Sequence, residues 1–155
     1  MPSPTMFTLG DLSWASFLSL LLGIFIGHRL ALGRDKRKEL YDAGKELRDA
    51  FVEIQRLLEI NPPANPAVGN DWQKTIKLVR KFYQQHHSAV VRFEHHLPSR
   101  KKTSFRNCWY QYCCYDKQNN CETFSDYESE QMNEELEKRH LAISRINKLL
   151  EFTRV

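Results

Sequence analysis

The sequence predicts an all-α protein in which one amino-terminal transmembrane helix, residues 12–32, precedes a cytoplasmic antiparallel bundle of three long helices with a short helical insert. Three observations carry that prediction. Residues 12–27, LSWASFLSLLLGIFIG, contain no ionisable side chain. Three later segments repeat apolar residues at intervals of four and three, strictly alternating in the first two, the period of a helix with one buried face. Proline and glycine interrupt the chain between them, at 61–70 and at Pro98. At 155 residues the chain has room for one compact domain and an appendage, not for two independent cores. Its 41% hydrophobic and 27% charged residues are ordinary for a folded protein, and six Gly with six Pro exclude collagen-like or low-complexity sequence. The mean hydropathy of −0.58 is that of a soluble protein and conceals the apolar run.

At 1.5 Å per residue, residues 12–27 alone form roughly 24 Å of helix. Extension through His28, Arg29, Leu30, Ala31 and Leu32 gives roughly 31 Å, the thickness of a hydrocarbon core, with Arg29 lifting its guanidinium into the headgroups. Trp14 suits the opposite interface, where an indole N–H stays wet. A cleaved signal peptide and a buried soluble helix are the alternatives. Ala31-Leu32-Gly33 fits a small-x-small cleavage site, but residues 1–11 lack the basic stretch that begins such peptides. Arg29, Arg34, Lys36, Arg37 and Lys38 follow the apolar run and no Lys or Arg precedes it. The positive-inside rule therefore places the 1–11 tail outside and residues 33–155 in the cytoplasm. Within the span, Ala15, Ser19, Gly23, Gly27 and Ala31 recur every fourth residue, and Gly23 with Gly27 forms a G-x-x-x-G pair. A ridge of small residues lets helix backbones approach closely in lipid, which predicts a homodimer or packing against another span.

The junction Gly27-His28-Arg29-Leu30-Ala31-Leu32-Gly33-Arg34-Asp35-Lys36-Arg37-Lys38-Glu39 resembles the start of a group of small uncharacterised bacterial and prophage-associated single-pass membrane proteins. Phe105-Arg106, Trp109, Tyr112 and Cys113 are similar to an aromatic F-x-x-x-W-x-x-Y-C segment in their cytoplasmic parts. The likeness covers about a third of the chain. It departs at Lys36-Arg37-Lys38-Glu39-Leu40, where the group usually reads RRKEF. No activity, catalytic residue or cofactor comes with it. What it implies is a bacterial inner-membrane setting.

Within the cytoplasmic part, a helix over about 35–60 carries a seam of Leu40, Gly44, Leu47, Phe51, Ile54 and Leu58. Pro62, Pro63, Pro66 and Gly69 then demand a loop. A second helix over about 71–97, capped by Asn70 or Asp71, aligns Trp72, Ile76, Val79, Tyr83, His86, Val90, Phe93 and Leu97 before Pro98 ends it. The insert is a short helix over about 104–114, capped by Thr103 or Ser104, with Phe105, Trp109 and Tyr112 on one face. The last helix, about 126–153, opens on a Ser125-x-x-Glu128 capping box and aligns Met132, Leu136, His140, Ile143, Ile146 and Leu150.

Chemistry-bearing residues cluster in two ways. Cys108, Cys113, Cys114 and Cys121 lie close in sequence, with His86, His87, His95, His96 and His140 on the flanking helices. Cys113, Cys114, Cys121, His86 and His140 are the candidate metal ligands, but C-x4-C-C-x6-C departs from the paired knuckles of zinc sites. The prediction is therefore no metal and no cofactor, with the thiols packed as small hydrophobes in a reducing cytoplasm. A Cys–His nucleophilic pair, Cys113 with His86 or His140, is the enzymatic alternative. G-x-S-x-G, Walker A, G-x-G-x-x-G and H-E-x-x-H motifs are absent, which predicts a non-enzyme.

The second cluster is charge. Residues 71–117 hold ten Lys or Arg against three acids, and 116–137 hold eight acids against one Lys, so the two regions attract. Lys74, Lys77, Lys81 and Arg92 share a helical face, Arg100, Lys101 and Lys102 follow, and Trp109 and Tyr110 come after them. The first reading of this basic, aromatic surface is a solvated face; an anionic lipid leaflet is the second, and nucleic acid the least favoured. The function expected is a membrane-anchored interaction or scaffold protein with a protein partner the sequence does not identify. The alternatives are a membrane-tethered Cys/His metal-binding or thiol enzyme, and a basic-patch lipid or nucleic-acid binder.

Overall fold

A computed structural model describes residues 14–60, 73–130 and 132–154. They form α1 (Trp14–Leu58), α2 (Thr75–His96), α3 (Ser99–Cys113), the two-residue strands β1 (Tyr115–Asp116) and β2 (Cys121–Glu122), and α4 (Met132–Leu150). Short 3-10 turns at Ser125–Tyr127 and Glu151–Thr153 flank α4. The fold is all-α apart from the antiparallel β1–β2 hairpin, in which Tyr115 pairs with Glu122. The chain divides into two units, Met1–Lys38 and Glu39–Val155. The tail of residues 1–11, the loop at 61–70, the caps Asn70 and Asp71, and Trp72 lie outside the described residues.

The sequence separates a span ending at residue 32 from a helix beginning near 35. Instead, α1 is helical through both. No proline intervenes, and Gly33 alone costs a helix only about 1 kcal/mol. In the first unit the large apolar side chains of α1 are exposed. In the second, Leu47, Phe51 and Ile54 are fully buried, with Gly44 and Leu58, as the seam predicts. A Cβ on Gly44 would sit 3.4 Å from both Phe93 and Thr153, so the bare backbone lets these elements close on α1.

Successive helices of the second unit run antiparallel. Along α1 and α2, Glu39 pairs with His96, Glu46 with Arg92, and Phe51 stacks on His86 at 4.0 Å. On α2 the buried positions are Leu78, Val79, His86, Val90 and Phe93, while Ile76 and Tyr83 are half-buried. The helix starts at Thr75 rather than near 71, because its cap comes from a distant carboxylate. Glu135 accepts from the Thr75 backbone N–H at 2.6 Å and from its hydroxyl.

α3 begins at Ser99, five residues before the expected start. Pro98 supplies the fixed φ of an entering residue, and its carbonyl accepts from Lys101 N at 2.8 Å, so neither Thr103 nor Ser104 caps the helix. Its face of Phe105, Trp109 and Tyr112 is buried as expected, joined by Cys113. The helix ends where Cys114 takes a left-handed conformation, φ 51°. Ser125 opens a 3-10 turn rather than α4, and Tyr127 enters the core, its hydroxyl donating to the Tyr112 carbonyl at 2.7 Å.

The largest correction concerns α4. Its buried residues are Glu135, Arg139, Ala142, Ile146 and Leu149, followed by Thr153. Of the expected seam, Leu136 and His140 are exposed and Ile143 and Leu150 half-buried; the Met132 side chain lies outside the described residues, and among the others only Ile146 is shared. The apolar period misleads because an ion pair, Arg139 Nε to Glu135 Oε1 at 3.6 Å, occupies core-facing positions. The register has a direct test by chemical denaturation of the full chain in detergent. Leu149→Ala should cost about 2–5 kcal/mol and Leu136→Ala under about 1 kcal/mol. The reverse order would restore the sequence-based seam.

Candidate functional site

Midway along the second unit, four elements bring aromatic side chains together. His86 lies between Phe51, at 4.0 Å, and Phe82, at 5.9 Å, both nearly parallel to its ring. Its Nδ1 is 2.9 Å from the Tyr112 hydroxyl. The Ala50 backbone nearby favours a protonated ring, but the buried Nε2 makes no hydrogen bond. A neutral ring protonated on Nε2 fits both sides, with Tyr112 donating to Nδ1. Burial pushes the His86 pKa down to about 3 and raises that of Tyr112, so both groups stay uncharged. His86 is thus a packed core residue rather than a poised ligand.

The thiols do not converge on imidazole. Cys113 is buried, its Sγ 3.8 Å from the Tyr110 carbonyl, and burial pushes it up to about 12. Cys114 accepts from Arg145 Nη1 at 3.4 Å; burial raises it despite the neighbouring guanidinium. Cys108 is half-buried and also raised by burial, while Cys121 is exposed on β2. His140 is exposed on α4. Among the described residues, no group of three or more His, Cys, Asp or Glu is placed to hold a metal ion.

Cys114 borders a polar hollow of about 680 Å³ that also receives Tyr110, Tyr115, Asp126 and Arg145. Arg145 is committed within it, bound to Asp126 at 2.5 Å and held 5.4 Å over the Tyr127 ring. Sequence reasoning missed both Asp126 and Arg145. They lie nineteen residues apart, a spacing that nothing in a helical period flags.

The basic candidates differ in exposure and in what holds them. They spread along α2, about 33 Å long, and into α3. Lys74 is half-buried and donates to the Ser129 carbonyl at 3.0 Å, and Arg92 pairs with Glu46 at 3.3 Å. Lys77 and Lys81 are exposed, the latter 5.4 Å from the Phe82 ring. Arg80 meets Glu128 at 4.0 Å, so the basic run does touch the acidic one. Arg100 is exposed, while Lys101 and Lys102 are half-buried in the first turn of α3. Trp109 is buried beside Tyr83 and Tyr112, and Tyr110 stacks on Tyr115 at 4.4 Å. These aromatic faces are occupied and offer no open platform for bases.

In the first unit, α1 places Ser19, Gly23 and Gly27 on exposed positions and Ala31 on a half-buried one; the side chain of Ala15 lies outside the described residues. A Cβ on Gly23 or Gly27 would meet nothing within 4 Å. Arg29 lies over the Phe25 ring at 5.9 Å, and Arg34, Lys36, Arg37 and Lys38 are exposed.

Comparison with family models, with curated proteins and with solved structures finds no match. The class defined by the chain itself is a helical protein with one amino-terminal helix long and apolar enough to cross a membrane.

The aromatic layer makes stability depend on pH. An unfolded His86 titrates near 6.5 and the native one at about 3, so between these values the unfolded chain takes up a proton that the native state refuses. The contribution is intact above pH 6.5 and declines as pH falls toward 3. Between pH 7 and 4.5 the wild type should lose about 2 kcal/mol more stability than His86→Leu. Parallel pH profiles of the two proteins would show that His86 protonates freely in the folded state.

Proposed function

We infer that this chain is a single-pass protein of a bacterial inner membrane whose second unit, Glu39–Val155, serves as a cytoplasmic interaction or scaffold module. One observation carries the reading. On α1, Trp14, Leu18, Leu22, Phe25 and Leu30 are 60–81% exposed, with apolar side chains on every side of the helix. Lipid is the phase that covers such a surface. Each of its Leu, Ile and Phe residues favours insertion by about 0.3–0.6 kcal/mol. A charge at the centre would cost about 2.5–3.5 kcal/mol, which Arg29 avoids by its place near the end. The five basic residues after the run orient the second unit toward the cytoplasm, and the resemblance of the 27–39 junction supplies the bacterial setting.

An interaction role fits a unit in which burial raises the thiols of Cys108, Cys113 and Cys114 and keeps the buried histidine neutral, since a nucleophilic thiol needs the opposite. The open space beside Gly23 and Gly27 supports self-association through the ridge of Ala15, Ser19, Gly23, Gly27 and Ala31.

Alkaline carbonate should leave the protein in the membrane fraction, and a reporter fused after Val155 should be active only in a form that works in the cytoplasm. Release by carbonate would remove the span, and periplasmic activity would invert the topology. In a membrane two-hybrid assay, Gly23→Ile and Gly27→Ile should each reduce self-association severalfold and Leu21→Ile should not. Equal signals from all three would leave the ridge as composition alone.

A further inference from the structure

We propose that the α2–α3 corner, carrying Arg100, Lys101 and Lys102, docks on the anionic headgroups of the same bilayer that holds α1. This rests on the membrane reading above and adds a second contact to it.

The corner lies at the end of the second unit from which the chain leaves for the span. His96 Nδ1 is 3.7 Å from Glu39 Oε2, and Glu39 is the first residue of that unit. Lys102 Nζ donates to the His95 carbonyl at 3.2 Å, which fixes the first turn of α3 against the same end of α2. The opposite end is where Arg139 meets Leu57 and Gln73. Connectivity then limits the reach. Glu39 follows Leu32 by seven residues, so even a fully extended connection is at most about 24 Å long. Lys77, near the far end of α2, has no such constraint.

The charge of the corner is available for an outside partner. No acid occurs between Glu94 and Asp116, and Glu94 is itself taken by Arg106. Glu151 borders a shallow hollow with Arg100 and Lys101, one acid against two cations. Helix stability does not account for them, because cations in a first turn oppose the helix dipole. Near an anionic leaflet each basic side chain gains a severalfold preference, which compounds to about a hundredfold for three. Lipid is favoured over nucleic acid because the nearby aromatic rings are buried or stacked on one another.

The full chain is reconstituted in nanodiscs of phosphatidylcholine alone, and of phosphatidylcholine with phosphatidylglycerol. Lysine acylation by a water-soluble amine reagent is followed by peptide mass spectrometry. With phosphatidylglycerol, Lys101 should be labelled severalfold more slowly relative to Lys77, an effect diminished by high salt and by Arg100→Gln. Lys36 and Lys38 report the span itself. If they slow while the ratio of Lys101 to Lys77 stays constant, the docking proposal is overturned and the anchor stands. If the chain fails to enter the discs, the anchor and the proposal fall together. Protection of Lys101 in phosphatidylcholine discs by an added oligonucleotide, without a response to phosphatidylglycerol, would assign the corner to nucleic acid instead.

Discussion

The second unit depends on one buried ion pair. The Arg139 guanidinium donates to the carbonyls of Leu57 at 2.9 Å, Ile60 at 2.5 Å and Gln73 at 2.6 Å. The Glu135 carboxylate accepts from the Thr75 N–H and hydroxyl and from the Ser129 hydroxyl. One pair on one turn of α4 therefore satisfies the last carbonyls of α1, the segment leading into α2, the start of α2 and the approach to α4. Helix ends leave such groups without intrahelical partners, and burying them unpaired costs about 1–3 kcal/mol each. The charges pay for their own desolvation only because nearly every polar atom finds a partner. Desolvation lowers the Arg139 pKa, and Glu135 opposes that shift.

The position of this pair sets the rest. With Glu135 and Arg139 turned inward, Ala142, Ile146 and Leu149 follow them into the core, and Thr153 arrives beside Gly44 at the other end. Between the two ends lies the layer of Phe51, His86, Tyr112 and Tyr127, where burial keeps every titratable group neutral. The same burial disarms Cys113. A unit clasped at one end and layered with neutral aromatics is the basis of the interaction role proposed above.

Much of this was legible in the sequence. The seam of α1 from Gly44 to Leu58, the buried face of α3 and most of that of α2 follow from apolar period, and the apolar run marks the helix fit for a membrane. What was not legible depends on partners far apart in the chain. Glu135 and Arg139 stand four residues apart on a helix, a spacing no different from that of a surface ion pair, and it is their contacts to Leu57, Ile60, Gln73 and Thr75 that turn them inward. The start of α2 was misplaced because its cap is Glu135 rather than a neighbour. On the basic face, helical spacing records direction but not occupancy: Glu46 and Ser129 already hold Arg92 and Lys74.

A double-mutant cycle on Glu135→Leu and Arg139→Met, measured by denaturation of the full chain, tests the clasp most directly. Each single change strands a buried charge and should cost about 3–5 kcal/mol, while the double change removes both charges and should cost well under the sum, leaving a coupling of about 2 kcal/mol or more. Additive losses would mean that the two side chains act independently and that the bundle is closed by something else.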